Sequence, residues 1–183
     1  MKNNIIKYIL ATFVVLLMAC GSGKTNATQA ELDRLATIVN NKDFKIISDW
    51  AYPTTTMAMQ QAARLLPPGN QGGSVNLIGN SNFLTISGDS ITSYLPYFGE
   101  RQMGGSYGGD DSAIAFKGLM KNYKVSQKKD SSYDISFEAK SNSENFRVNI
   151  TLFPNLKSEM ILTGNTRTPI RYSGSIQNKT ESD

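Results

Sequence analysis

The side chains that could do chemistry in this chain are Asp, Glu, Lys, Tyr and Ser, and no spacing among them indicates a catalytic site. The least ordinary stretch lies at residues 94–111. The chain has 183 residues, no histidine and a single cysteine. The absence of histidine excludes His-based triads, the usual catalytic zinc sets and histidine general-base catalysis. The central stretch has two interpretations: its aromatic residues plug one end of the fold, or they form the rim of a ligand or peptide groove, because tyrosine and arginine are enriched at binding hot spots. Its candidate surface residues are Tyr94, Tyr97, Phe98, Arg101, Tyr107, Asp110 and Asp111.

Asp110 and Asp111 follow a glycine-rich run at residues 104–109 and admit three interpretations. The first is an ordinary surface loop. A calcium site needs about six to eight oxygen ligands, and this spacing matches no known calcium loop. A glycosidase needs two carboxyl groups about 5–9 Å apart across a sugar, which adjacent residues seldom provide. We therefore predict no metal, no cofactor and no catalytic residue.

The N-terminal segment has the order typical of a secretory signal peptide. A basic start is followed by an apolar run over residues 8–18, and the small residue Ala19 precedes Cys20. The apolar run is shorter than the ~20 residues that a membrane-spanning helix needs. The cysteine directly after the cleavage point resembles the lipobox of bacterial lipoproteins. That resemblance implies that Cys20 carries the lipid anchor and that acyl chains hold the protein to one membrane leaflet.

Charge and cysteine usage narrow the class of protein further. The formal net charge is +4, and the leader contributes Lys2 and Lys7 to it. The other basic residues are dispersed, so we predict no nucleic-acid partner. With its single thiol assigned to the anchor, the chain forms no disulfide.

We expect a signal peptide at residues 1–19, a flexible tether at 20–29, one β-rich domain at 30–178 and a disordered tail at 179–183.

Apolar spacing predicts one short helix near the start of the domain. Leu32, Leu35, Ile38 and Val39 recur at helical intervals, which predicts an amphipathic helix over residues 31–40. A second short helix is predicted over residues 57–66, between Thr56 and a Pro-Pro-Gly stop.

From Phe44 onward the apolar period changes to two, which is typical of strands. On the first strand Phe44, Ile46, Trp50 and Tyr52 are predicted to share one face, opposite Lys45, Asp49 and Ala51. The predicted strands cover residues 44–52, 75–78, 83–87, 90–95, 113–117, 123–127, 133–139, 146–152, 160–163 and 170–176.

These strands predict a mainly β protein built as an antiparallel meander of about nine or ten strands. Short polar loops between consecutive strands make those strands antiparallel neighbours. Each strand has one apolar face, and a meander of this length curls into a barrel or folds into two packed sheets. We therefore expect a curved sheet, barrel or sandwich with a short N-terminal helix. Pro96 belongs at a strand end, and Tyr97 and Phe98 either plug one end of the barrel or line a groove.

Several short motifs together resemble one known family. They are ISGDS at residues 86–90, YLPYFGER at 94–101, GGSYGGDD at 104–111, AIAFKG at 113–118 and IRYSGSI at 170–176. The combination resembles the Bacteroidetes lipoprotein family called domain of unknown function 4251, over roughly residues 43–176. The resemblance implies an envelope location and brings no established activity. Residues 89–91 and 111–113 also resemble the short O-glycosylation signal of Bacteroidetes envelope proteins, with an ordinary polar turn as the alternative.

The expected function is binding at a membrane surface. Gly21 and Ser22 provide no acidic inner-membrane retention residue, so we expect the periplasmic face of the outer membrane. The expected partner is a peptide, an envelope component or another protein. An alternative is a carrier of lipid or of a small hydrophobic ligand, held in a β-barrel pocket; a hydrolase ranks third. The candidate lining residues of such a pocket are Met57, Met59, Met103 and Met120.

Overall fold

The computed structural model describes residues 27–54, 73–100, 113–141 and 144–177. Within these ranges the chain forms one helix and ten strands, so the predicted mainly β fold is confirmed. The helix, α1, is Gln29–Asn41. The strands are β1 Asp43–Pro53, β2 Val75–Asn76, β3 Phe83–Ser87, β4 Ser90–Pro96, β5 Ala113–Leu119, β6 Lys121–Gln127, β7 Tyr133–Lys140, β8 Asn145–Leu152, β9 Lys157–Gly164 and β10 Ile170–Gln177.

The ends of α1 are fixed by local hydrogen bonds. The Glu31 backbone N–H donates to the Thr28 side chain, and the Thr28 N–H donates to the Glu31 carboxylate at 2.8 Å. These bonds satisfy two of the free N–H groups at the helix start. The bonds that the Glu31 carboxylate accepts from the Thr28 N–H and from the Thr28 hydroxyl lower the pKa of Glu31. The helix ends at Asn41, and the capping residue Lys42 takes a left-handed conformation. Its apolar stripe buries Leu35 and Val39, as the spacing predicts.

The strands form one antiparallel sheet that nearly closes into a barrel. Its order is β5-β4-β3-β1-β10-β9-β8-β7-β6, with β2 paired to the side of β1. The first strand, β1, is hydrogen-bonded to the last strand, β10, so the two ends of the meander lie side by side in the sheet. The two edge strands, β5 and β6, are separated in the chain only by Met120, and they do not pair. The Met120 N–H donates to the Asp89 carbonyl oxygen at 2.8 Å, which holds this corner against the β3–β4 hairpin.

The inner face of the sheet is filled by large side chains. Burial alternates along most strands, so each strand contributes every second residue to one core. The β5 and β8 sides approach each other through Phe116 and Phe146, whose ring centroids are 5.8 Å apart. The largest fully buried side chains are Tyr172, Phe44, Phe137, Phe146, Leu35, Ile46, Leu77, Leu84, Ile86, Ile91, Leu95 and Ile114.

The predicted faces of β1 are wrong beyond Ser48 because this strand contains a β-bulge. Ser48 pairs with Gly174 and Trp50 with Ser173, so Asp49 is an extra residue. The bulge turns Ala51 inward and Trp50 outward, where the indole is 37% exposed. Tyr52 follows Trp50 to the outer face, because it lies two residues farther along the strand.

A buried asparagine holds the bulge open. The Ser48 N–H donates to Asn82 Oδ1 at 2.8 Å, and Asn82 Nδ2 donates to the Ser48 carbonyl at 3.0 Å. The Asn82 side chain thus replaces a neighbouring strand at this point. Across the sheet, a Cβ on Gly174 would overlap the Ile47 carbonyl oxygen, so the bulge requires glycine there.

Several predicted segments lie outside the described residues. They are the signal peptide with Cys20, most of the tether, the second helix at residues 57–66 and the C-terminal tail. In the ranges that the structure covers, no helix has the length and apolar character needed to cross a bilayer.

Candidate functional site

The structure separates the predicted surface residues that it describes. Tyr94 lies on the outer side of β4 and is 44% exposed, whereas Tyr97 follows the end of β4 and packs against the core. Phe98 comes next and stays partly exposed. Tyr94 and Tyr97 therefore do not line one rim. The predicted site residues outside the described ranges are Arg101, Tyr107, Asp110, Asp111 and the anchor Cys20.

Tyr97 fastens the chain after β4 to the chain before β10. Its hydroxyl lies 2.9 Å from the Glu100 carbonyl oxygen and 3.0 Å from the Thr168 carbonyl oxygen. A phenol has one proton, so it donates to one carbonyl at a time and accepts from Thr168 Oγ1 at 2.9 Å. Beside it, the Tyr172 hydroxyl donates to the Pro96 carbonyl at 2.7 Å. Burial raises the pKa of Tyr172, so this phenol stays protonated.

A buried ion pair lies next to Tyr97. Arg167 Nε donates to Glu144 Oε2 at 2.8 Å, and the two side chains are only 6% and 3% exposed. The Arg167 guanidinium also stacks on the Tyr97 ring, with Cζ 5.0 Å from the centroid. The Thr166 N–H donates to the other Glu144 oxygen at 3.2 Å. Gly164 makes room for this carboxylate, because a Cβ there would collide with Glu144 Oε1.

Together these residues form a polar cluster at one end of the barrel, which we call the end cluster (Tyr97, Glu144, Arg167, Thr168 and Tyr172). It joins the loops that follow β4, β7 and β9. Each of its side chains is bonded to another protein group, so the cluster holds the three loops together.

Sequence reasoning missed Glu144, Arg167 and Asn82, each of which lies among other polar residues in a short turn. The strand order, however, could have predicted that Glu144 and Arg167 lie close together. In a meander every second hairpin lies at the same end of the sheet, so the turns at residues 141–144 and 165–169 must lie near each other. A lone acid in one turn and a lone arginine in the other are then candidates for a pair.

The outer side of β1, β3 and β4 carries two exposed aromatic residues, Trp50 and Tyr94, and the partly buried Phe83, and we call these three residues the outer aromatic face. Phe83 and Tyr94 are direct cross-strand partners. Lys45 Nζ lies 5.6 Å from the Phe83 ring centroid. Aromatic rings left partly exposed beside a cation are typical of contact surfaces on proteins.

A second surface feature lies where β5 passes into β6 across the ends of β7, β8 and β9. A groove of about 590 Å³ opens there, and we call it the seam groove. Its lining includes Leu119, Lys121, Ala139, Lys140, Phe146 and Arg147. In the part of the chain that the structure describes, no three His, Cys, Asp or Glu side chains are close enough to hold a metal ion.

Comparison with known proteins agrees with this architecture. A crystal structure of a DUF4251 family protein from Bacteroides eggerthii DSM 20697 matches with a TM-score of 0.55 and 14% sequence identity. The match covers 80% of this chain and 87% of that chain, and at this identity it shows the fold alone. Among curated proteins, none matches the sequence. The family model described as domain of unknown function, DUF4251, matches residues 26–176, and the chain therefore belongs to the DUF4251 family.

Proposed function

We propose that this protein is a lipid-anchored envelope protein whose β-domain binds another envelope protein and catalyses no reaction. The observation that carries the proposal is the outer aromatic face. Trp50 and Tyr94 expose 37% and 44% of their surface although both are large aromatic residues. Exposed Trp and Tyr supply large contact areas at little cost in conformational entropy, which favours protein–protein contact.

The shape of the surface favours a protein over a small molecule as the partner. Small ligands bind in concave sites that enclose most of their surface. The outer aromatic face lies on the convex side of a curved sheet, so a small molecule would stay largely in water. A second folded protein can cover such a face and bury the rings of Trp50, Phe83 and Tyr94 together.

The membrane anchor in this proposal is a lipid attached to Cys20. The basic start, the apolar run and the small residue before Cys20 support it. Several acyl chains, at about 0.8 kcal/mol per buried methylene, would hold the domain at one leaflet. We place the domain on the periplasmic face of the outer membrane. Cys20→Ser is expected to abolish labelling with radioactive palmitate and to release the protein from the membrane fraction. Unchanged labelling would refute the anchor.

The carrier alternative has less support because the inner face of the described strands is already filled. Tyr172, Phe137 and Phe146 are among the side chains that occupy the space where a ligand would lie. Met120 packs against this core. The other candidate lining residues, Met57, Met59 and Met103, lie outside the described residues.

Site-specific photocrosslinking in the native host tests the protein partner. A photoreactive phenylalanine analogue replaces Tyr94 on the outer aromatic face, and the matched control replaces Asn149, which is exposed on β8. We expect one discrete adduct of protein size from position 94 and none from position 149. Equal crosslinking from both positions, or none from position 94, would contradict the proposed contact face.

A further inference from the structure

The seam groove has the chemistry of a site for an anionic amphiphile. We propose that it binds a phosphate group attached to a short acyl or alkyl body, a function separate from the protein contact proposed above. The groove lies outside the packed interior, at the gap between the two edge strands. Its volume of about 590 Å³ is in the range of small-molecule sites.

Positive charge dominates the walls of the groove. Its lining contains Lys121, Lys140 and Arg147 and a single acid, Glu138. Glu138 pairs across the strands with Lys121 on one side and Arg147 on the other. These are neighbours in strand register only: the Glu138 carboxylate accepts a hydrogen bond from Asn122 Nδ2 at 3.0 Å. Across the described ranges, none of the three cations forms an ion pair within 4.0 Å.

The chain that forms one side of the groove is itself basic. Residues 113–129 contain Lys117, Lys121, Lys124, Lys128 and Lys129 and no aspartate or glutamate. This segment runs through β5 and β6, so its charge follows the seam. A concave site lined by one sign of charge concentrates ions of the opposite sign.

Part of the groove lining is apolar. Ala139 and Phe146 belong to that lining but are only 5% and 2% exposed, so Leu119 supplies most of the apolar surface that a ligand could cover. Leu119 lies at its side and is 70% exposed, although leucine is among the side chains most often buried. A ligand with an apolar body would cover Leu119, whereas a plain inorganic anion would leave it in water.

The cation set favours phosphate over carboxylate. Three cations around one groove match a dianion better than a single negative charge. The Arg147 guanidinium can donate two parallel hydrogen bonds to phosphate oxygens, and lysine ammonium groups add point charges beside it. A free phosphorylated amphiphile and the headgroup of a membrane phospholipid share this chemistry.

Titration calorimetry with dihexanoyl phosphatidic acid below its micelle concentration tests the site. The protein is the full chain carrying Cys20→Ser, so that no acyl group of its own is attached. We expect saturable one-to-one binding that weakens as ionic strength rises. The groove variant Lys121→Gln/Arg147→Gln is expected to bind about tenfold more weakly or worse, because it loses charge-assisted hydrogen bonds.

A variant of equal charge separates the groove from diffuse electrostatics. Lys117→Gln/Lys124→Gln removes the same amount of charge from β5 and β6, at two positions outside the lining of the seam groove. We expect it to keep its affinity to within about threefold. Equal losses in the two double variants would overturn the proposal. Failure of the unmodified chain to show saturable binding would also overturn it.

Two further probes test the apolar part and the source of the phosphate. Leu119→Ser is expected to weaken binding of dihexanoyl phosphatidic acid, and inorganic phosphate is expected to bind far more weakly than the amphiphile. Equal affinity for inorganic phosphate would contradict an amphiphile site.

A comparison of soluble lipid with vesicles tests the source of the phosphate. Binding to the soluble lipid and to phosphatidic acid vesicles supports a membrane headgroup, and binding to the soluble form alone supports a free ligand. Binding to vesicles alone would show a flat electrostatic contact and refute the groove.

Discussion

Replacing Arg167 by methionine tests whether the buried ion pair holds the end of the barrel together. Methionine keeps much of the apolar length of arginine and removes the cation, so the Glu144 carboxylate loses its partner at 2.8 Å. Because Glu144 is only 3% exposed, water cannot replace the guanidinium. Removing one partner of a buried pair costs about 3–5 kcal/mol, since the other charge is left uncompensated. We expect Arg167→Met to lower the free energy of unfolding by about that amount.

A double-mutant cycle separates the cost of an orphaned charge from the net value of the pair. Glu144→Met leaves the guanidinium buried and is expected to cost about 3–5 kcal/mol as well. The double variant buries no charge at this site, and replacing a buried ion pair by apolar residues often changes the free energy of unfolding little. We therefore expect the double variant to lie within about 2 kcal/mol of the unmodified protein, and the coupling energy to be at least about 3 kcal/mol.

Urea unfolding measures each corner of the cycle. Far-UV circular dichroism and the fluorescence of Trp50, the only tryptophan, report the transition, and equal m-values are required for the comparison. The control is Glu159→Gln at an exposed pair, where Arg171 and Glu159 are 41% and 48% exposed and 3.6 Å apart. We expect the control to cost less than about 1 kcal/mol. An equally small cost for Arg167→Met, or strictly additive single variants, would refute the reasoning.

Three further predictions concern the bulge and the buried phenol. Gly174→Ala forces a methyl group into backbone and is expected to cost about 2 kcal/mol in urea unfolding, whereas Gly118→Ala, with open space around it, should leave stability within about 0.5 kcal/mol. Asn82→Ala removes both partners of the Ser48 backbone and is expected to cost about 2 kcal/mol or more by the same measurement; an unchanged midpoint would contradict its role. Burial raises the pKa of Tyr172, so above about pH 10 the folded state keeps a proton that the unfolded chain loses. The free energy of unfolding should therefore fall above that pH by up to about 1.4 kcal/mol per pH unit. Tyr172→Phe should flatten that fall in unfolding curves recorded at successive pH values, and an unchanged slope would exclude the phenol as its source.

The sequence predicts the strands well because burial here has a simple period. On β8, for example, Phe146, Val148 and Ile150 are buried and the residues between them are exposed. The rule fails on β1 because a bulge adds one residue and reverses the faces beyond it. Nothing in the alternation marks Asp49 as the extra residue. The cause is the side chain of Asn82, which lies far away in sequence and reads locally as part of a polar turn.

The candidate surfaces are harder to predict than the fold because each depends on distant parts of the chain. The motif from Tyr94 to Phe98 is continuous in sequence, but Tyr94 is still within β4 and faces outward, whereas Tyr97 comes after the strand has ended. One step past a strand end, the alternation of faces no longer applies. Glu144 and Arg167 meet only because two hairpin turns lie at the same end of the meander.

The seam groove follows from one connection that cannot be a hairpin. Antiparallel neighbours need a turn of about two residues or more, and only Met120 lies between β5 and β6. The chain therefore cannot reverse there. It bends instead, with Asn122 at a φ of 55°, and crosses from the edge of β4 to the edge of β7. A single bent strand thus forms both edges of the sheet, and the gap at its bend exposes Leu119 between cationic walls. Inserting an Asn-Gly turn after Leu119 would let β5 and β6 pair with each other. We expect that insertion to lose binding of the phosphorylated probe while the thermal unfolding transition remains cooperative.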